Sequence, residues 1–414
     1  MRRNHYIPIF VLKNFASRLE LKITSESIEK VKTKAGRHSI LVYNLKSAEL
    51  TKKRVEKAFC KENLYTDEIE DLLTQKMESQ FSDVLREVIR QGDVKKLTPE
   101  KLLLLKKYCA LTIIRTCDCD EFSSSRGFYD VTEEKINRNF FEIERLHGRG
   151  SVKKDFLRVI LEQRIPFEEY KNCTNKEYWE QTMKVFLETN GAPIDIKKHN
   201  NPTHEAYRLS KVIEGGFLTF WESAEKVEFV ITDIGMTSEN DKEWNEIHFS
   251  NRVKKRFLQE EITDKKIYFS GEKNPYYDEL CEQIDFFHEN FMLFPISNNL
   301  ILTLVCPYFK HYFQSEYLQK IDNHLTSISS ITDINIFQPS PDGINYFVKK
   351  LNRKDSLYCN RLLLDRISEN VGFNSLTSIA TSVLKYHKET NNSMFARVKY
   401  TKLLEIIRNV DKNF

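Results

Sequence analysis

Apolar residues at Ile69, Leu72, Leu73, Met77, Phe81, Val84, Leu85 and Val88 recur at spacings of three and four. That spacing places them on one face of a helix running from about Asp67 to Gln91, which Gly92 ends. A second helix opens at Thr98-Pro99, the threonine as N-cap and the proline in the first turn, where its missing N–H costs nothing. Its body, Leu102 to Ile114, is apolar nearly all round and predicts the central buried helix of the N-terminal region. Ser39 to Asn44 reads as a short strand, and Arg54 to Tyr65 leads into the first helix. From Phe217 to Leu304 the texture changes to runs of β-branched and aromatic residues: Glu228 to Asp233, Lys266 to Phe269, Phe291 to Ile296 and Leu300 to Cys306. A helical pattern returns from about Gly343 and closes with Lys399 to Val410.

These elements predict an α+β fold, rich in helix, with a mixed or antiparallel sheet. The strand groups at 39–44 and 227–306 are expected to share one sheet. The chain divides into four segments: 1–120 with the opening, short strands and two core helices, a charged helical segment at 121–205, a strand-rich segment at 206–350 that completes the core, and a helical close at 351–414. Segment 121–205 is broken at Pro166, at Gly191-Ala192-Pro193 and at Asn200-Asn201-Pro202, and carries no readable motif.

The composition sets broad bounds. The 414 residues are 40% hydrophobic and 30% charged, with ten prolines and twelve glycines, which describes a chain that buries a sizeable core. The apolar run Tyr6 to Leu12 is short, broken by Pro8 and has no small-residue cleavage site after it, and no other run approaches a membrane span. A cytoplasmic protein with no membrane partner is expected. Eight cysteines are too few for a disulfide scaffold in so long a chain, and Cys117-Asp118-Cys119 has no second pair at zinc spacing. Net charge is only +4, yet residues 1–60 hold fourteen Lys and Arg against five Glu. This basic region is a candidate surface for nucleic acid; a solvated face that balances acidic helices is the plainer reading.

The opening Asn4-His5-Tyr6-Ile7-Pro8-Ile9-Phe10-Val11-Leu12-Lys13-Asn14-Phe15 packs a histidine, a proline and apolar anchors into one stretch, and is expected to be tied into the core. It resembles the start of a bacterial family, domain of unknown function 4238. Further pieces of that family's pattern recur in order: Leu64-Tyr65, Glu78, Arg115-Thr116, Phe229 to Asp233, Phe294-Pro295-Ile296-Ser297 and Leu351-Asn352. The resemblance covers about residues 4–360. The chain departs from it after Asp233, where Ile234-Gly235 replaces Asn-Pro, and after Arg-Thr, where Cys117 replaces Pro. The resemblance implies a bacterial setting and no reaction.

The candidate chemistry rests on carboxylates and one histidine. At 100° per residue Asp71 and Glu78 fall about 20° apart along one edge of the apolar stripe. With His5 and the strand-end Asp233, they form the set that a Mg²⁺ or Mn²⁺ site for phosphodiester hydrolysis requires, hard oxygen ligands and a base to orient water. Asp71, Glu78 and Asp233 are the candidate metal ligands, His5, Glu78, Asp233 and Arg115 the candidate catalytic residues, and Arg115 a phosphate or carboxylate partner. Each has a structural alternative. His5 can lock the terminus by a backbone bond, Asp71 and Glu78 can be solvated rim residues, and Asp233 can cap a turn. Glu70, projected into the apolar face, is expected to be paired, with Arg115 as a partner of choice.

Nucleotide-loop, dinucleotide, zincin and serine-elbow signatures are absent from the sequence. Two functions from different classes remain. One is a metal-dependent, nuclease-like hydrolase of nucleic acid or nucleotide, serving phage defence or acting as a toxin. The other is a non-enzymatic binding or sensor protein whose motifs build the fold. Convergence of His5, Glu78 and Asp233 favours the first, and satisfaction of each by backbone bonds favours the second.

Overall fold

In a computed structural model, the described residues are 3–16, 19–23, 28–32, 38–116, 141, 175–188, 216–239, 291–305, 337–340, 343–389 and 400–411. The chain begins with β1 (Arg3–His5), α1 (Ile9–Leu12), the hairpin β2 (Leu19–Ile23) and β3 (Ile28–Lys32), β4 (Ser39–Asn44) and β5 (Glu49–Arg54). A 3₁₀ turn at Val55–Lys57 leads to β6 (Cys60–Glu62), α2 (Asp67–Leu73), a π-helical turn at Thr74–Glu78 and α3 (Ser79–Arg90). Then come β7 (Val94–Leu97), α4 (Pro99–Thr116), α5 (Asn175–Glu188), β8 (Phe217–Glu222), β9 (Ile231–Thr232), β10 (Thr237–Glu239), β11 (Phe291–Pro295) and β12 (Leu300–Val305). The described chain closes with β13 (Phe337–Ser340), β14 (Gly343–Phe347), β15 (Lys349–Lys350), α6 (Arg353–Asp365), β16 (Asn370–Phe373), α7 (Leu376–Glu389) and α8 (Thr401–Asp411).

The apolar stripe of the first long helix does what its spacing predicts: Ile69, Leu73, Met77, Phe81, Val84, Leu85 and Val88 are all buried. Leu72 stays half-buried and packs against the same cluster. Phe81 stacks on Tyr108 of α4 with ring centroids 4.1 Å apart and planes 9° from parallel, which fixes α3 against the central helix. Helix α4 starts where Thr98-Pro99 predicts; the Lys101 N–H reaches the Thr98 hydroxyl at 3.4 Å and the Leu102 N–H its carbonyl at 3.0 Å. Leu105, Tyr108, Cys109, Ala110, Leu111 and Ile114 bury it on several sides.

The architecture is α+β, as the sequence predicts, and among the described residues its sheets are antiparallel apart from one parallel pair. A five-stranded sheet runs β10-β11-β12-β8-β15 and a four-stranded one β5-β4-β16-β9. The β15–β8 pair is parallel, and the remaining pairs of these two sheets are antiparallel. The expected single sheet is therefore two. β4 reaches β9 through β16, whereas β8, β11 and β12 pair among themselves. Of the expected strand at 228–233 only Ile231–Thr232 pairs. Gly343 opens strand β14, which pairs with β13 and with β7, and the helix starts ten residues later at Arg353. Local pattern cannot register a strand whose partner lies some 250 residues away. The expected strand at 266–269 and most of segment 121–205 lie outside the described residues; α5, at the end of that segment, is helical as expected. Among the described residues a cluster of buried apolar side chains extends from Tyr6 to Ile407 and takes members from the first, third and fourth segments and from α5.

Candidate functional site

The opening segment is held from both sides. β1 lies antiparallel to β6 with Asn4 opposite Lys61 and His5 opposite Cys60. Asn4 is 1% exposed, donates to Glu70 Oε2 at 3.0 Å and accepts the Leu64 N–H at 2.9 Å, so neither its amide oxygen nor its amide nitrogen is stranded. Ten residues on, the Asn14 amide donates to the Ile296 carbonyl at 3.0 Å. The terminus is tied into the core as its pattern predicts.

At the end of β1 the main chain and the side chain of His5 act separately. Its carbonyl accepts from the Tyr65 hydroxyl at 3.0 Å and from Arg115 Nη2. Its ring bonds the backbone of Glu56, while Nε2 is buried without a partner. Burial, with Arg115 adding to it, holds the imidazole below its ordinary pKa against the pull of the Glu56 bond and of Glu70 and Glu78.

Arg115, at the C-terminal end of α4, is the hub. Both Nη1 and Nη2 donate to Glu78 Oε1 at 3.3 Å, and Nε donates to the Tyr65 hydroxyl at 3.4 Å. The guanidinium sits 5.9 Å from the Tyr65 ring centroid. Burial opposes the charge of Arg115, and Tyr65, Glu78 and Glu70 more than offset it, so the guanidinium stays protonated. Tyr65 in turn packs on Trp179 of α5, whose Nε1 donates to the Ile114 carbonyl at 2.6 Å. One buried cation thereby joins β1, the lead into α2, the π turn and α4.

The π turn decides which carboxylate reaches Arg115. A 20° separation of Asp71 and Glu78 assumes an unbroken α-helix; an i→i+5 turn takes up one extra residue and rotates the rest of the helix by roughly 100°. Asp71 is exposed, and Glu78, last residue of the π turn, points its carboxylate at Arg115. The expected Glu70–Arg115 pair is replaced by Glu70–Asn4 and Glu78–Arg115.

Asp233 sits directly after β9 and is 7% exposed. Its Oδ1 accepts the Ser368 N–H at 3.1 Å, and its Oδ2 accepts those of Glu369 at 2.5 Å and Asn370 at 2.9 Å. Burial pushes its carboxyl above the usual carboxylate range, and the three N–H bonds pull the other way. Two residues later Gly235 turns at φ 65°, where a Cβ would stand 2.6 Å from Ile7 Cδ1 and 3.2 Å from Thr112 Cγ2. The loop after β9 thus abuts both the opening segment and α4, while its carboxylate is directed at the turn before β16.

The structure therefore gathers His5, Glu78 and Arg115, leaves Asp71 exposed, and gives Asp233 to a backbone turn. Among the described residues no group of three or more His, Cys, Asp or Glu side chains is placed to hold a metal ion. The Tyr65 hydroxyl and Asn4 are the members that residue chemistry alone passes over. Their signal lay in the Leu64-Tyr65 and Asn4-His5 pairs, which read as fold markers. The later pieces of the pattern are local devices too. The Ser297 hydroxyl accepts the Leu300 N–H at 3.1 Å in the β11–β12 turn, and Asn352 caps α6 by accepting the Asp355 N–H at 2.9 Å.

Fold and site together define an α+β protein whose N-terminal strand is locked by a buried, ion-paired arginine. The chain belongs to the family described as Protein of unknown function (DUF4238), whose sequence model matches residues 3–375. No curated protein and no solved structure matches it. No helix among the described residues is long and apolar enough to cross a membrane.

Proposed function

We propose that this protein is a binding or sensor protein whose motif residues hold the fold, and that it takes a phosphate-bearing polymer, nucleic acid, on its basic N-terminal region. The observation that carries this reading is where the charges are engaged. Asp233 is occupied by three backbone N–H groups, and Arg115 by Glu78, Tyr65 and the His5 carbonyl. Arg54, Lys57 and Lys61, by contrast, are exposed at the end of the edge strand β5, in the 3₁₀ turn after it and in β6. Cations on two strands neighbouring in sequence and the turn between them suit a phosphate backbone, which is recognised by charge rather than by shape.

A second reading, hydrolysis of a phosphodiester in phage defence or toxicity, is favoured by one feature, the neutral imidazole of His5. One ring nitrogen is held by a main-chain bond and Nε2 is unpartnered beside Glu70, Glu78 and Arg115, an arrangement that a general base uses. The described residues do not supply a three-ligand metal set, so this reading rests on His5 and Arg115.

Fluorescence anisotropy with labelled RNA, single-stranded DNA and duplex DNA at about 50 and 200 mM salt separates the two. The expected result is binding that weakens with salt and falls severalfold in the triple variant Arg54→Glu, Lys57→Glu, Lys61→Glu, with no product on gels in the presence of Mg²⁺ or Mn²⁺. Cleavage lost in His5→Gln, with the fold retained, establishes the hydrolase instead. Equal binding by wild type and the triple variant overturns the proposed surface.

A further inference from the structure

The turn in the middle of the basic surface is bonded to the side chain of His5. That turn, Val55–Lys57, follows Arg54 and ends on Lys57, and the main chain of its middle residue, Glu56, bonds the imidazole. The bond favours the protonated ring, so the ring donates and the Glu56 carbonyl accepts; with Nε2 unpartnered, the donor is Nδ1. Cys60 stands opposite His5 in β6, and Lys61 follows it, opposite Asn4. Lys57 is one residue beyond Glu56 and Lys61 one beyond Cys60, so both backbones pass within about 10 Å of the imidazole, one screening length at about 0.1 M salt.

The groups around the ring set its proton balance. Burial is the largest influence and keeps the imidazole neutral, Arg115 from α4 adds to it, and Glu70 from α2 and Glu78 from the π turn act the other way. Both carboxylates are engaged, Glu70 by Asn4 and Glu78 by Arg115, and the Tyr65 hydroxyl is turned to the His5 carbonyl. From β6 the facing group is the Cys60 thiol, and from the turn the nearest charge is Lys57. A polyanion laid on Arg54, Lys57 and Lys61 brings negative charge towards the ring from the solvent side and offsets Arg115. We propose that nucleic acid binding on this turn is coupled to the uptake of one proton from solvent by Nε2 of His5, so that the protein holds nucleic acid more tightly as pH falls. No other bond forms or breaks. Affinity is flat well above the bound-state pKa, rises as pH falls between the bound-state and free-state values, and is flat again beneath the free-state value, which lies under 6.5.

Because the coupling rests on the binding reading given above, its test is built to separate the two. The probes are labelled oligothymidylate and its duplex with oligodeoxyadenylate, whose bases take up no proton in the range used. Anisotropy is read from about pH 8 to about pH 5 at about 50 mM salt. From the alkaline to the acid end, wild type is expected to gain at least about threefold more affinity than His5→Gln gains over the same range. Calorimetry in MES and in Bis-Tris at one acid pH is expected to show proton uptake on binding in wild type that is absent in the variant. Should His5→Gln fail to fold, exchange of the imidazole C2 hydrogen for deuterium, read by mass spectrometry in the peptide that carries residue 5, gives the His5 pKa of the wild-type chain with and without the probe. It is expected to rise by at least about half a pH unit on binding, which corresponds to the threefold gain. Binding that falls in the triple variant Arg54→Glu, Lys57→Glu, Lys61→Glu, with equal pH gains in wild type and His5→Gln or a His5 pKa unmoved by the probe, overturns the coupling and leaves the surface standing. Absence of binding, or equal binding by wild type and the triple variant, overturns both.

Discussion

Arg115 holds His5 by its main chain: a guanidinium nitrogen donates to the His5 carbonyl, beside the Tyr65 hydroxyl at 3.0 Å. The imidazole is left to the Glu56 backbone. The two halves of the histidine can therefore be tested apart, because a side-chain substitution at position 5 leaves the carbonyl, and its two donors, in place.

Arg115→Met is expected to destabilise the chain by about 3–5 kcal/mol, since it takes the cation from Glu78, leaves the His5 carbonyl with the Tyr65 hydroxyl alone and removes the junction of four elements. Arg115→Lys recovers only part of this, because one ammonium cannot serve Glu78, Tyr65 and the carbonyl together. Glu78→Gln is milder, about 1–2 kcal/mol, with the carboxylate side chain 29% exposed. Urea unfolding of the single and double variants checks these values, with a coupling of about 1–3 kcal/mol expected between positions 78 and 115.

The imidazole gives a pH signature. Its pKa in the folded chain lies below the ordinary 6.5, chiefly through burial, so the unfolded chain binds that proton more readily. Stability therefore falls as pH drops from about 6.5 towards the folded-state value and levels off beneath it. Melting temperatures of wild type and His5→Gln between pH 5 and 8 are expected to converge at the acid end, and the variant to show the flatter profile.

Asp233→Ala leaves the N–H groups of Ser368, Glu369 and Asn370 without their acceptor. A loss of about 2–4 kcal/mol is expected, and Asp233→Asn, which keeps one oxygen, loses about half of that. Hydrogen exchange at Ser368, Glu369 and Asn370 is expected to accelerate in both variants, which locates the effect at the turn.

Gly235→Ala meets two obstacles, φ 65° and a Cβ only 2.6 Å from Ile7 Cδ1. The expected cost is about 1–2 kcal/mol. Adding Ile7→Val removes the clashing methyl and is expected to return part of it, which denaturant midpoints of the single and double variants report.

Local sequence carried the parts of this fold whose cause is local. The spacing from Ile69 to Val88, the Thr98-Pro99 start and the β-rich runs at 39–44, 291–296 and 300–306 each predict an element that the structure contains. Periodicity and capping act within a few residues, so they are legible one segment at a time. The anchoring of Asn4-His5-Tyr6 was also legible, from a histidine, a proline and apolar anchors crowded into one stretch, whereas of the five residues read as one site the structure gathers only His5, Glu78 and Arg115. Tertiary structure decided the rest. The π turn at Thr74–Glu78 rotated Glu78 onto Arg115 and left Asp71 exposed, a phase change that no ideal helical projection contains. Asp233 became the acceptor of a turn 135 residues away, and the His5 imidazole was bonded to the turn at Glu56. An ionisable side chain takes its role from the groups that surround it in space, and those are assembled from distant segments only when the core closes.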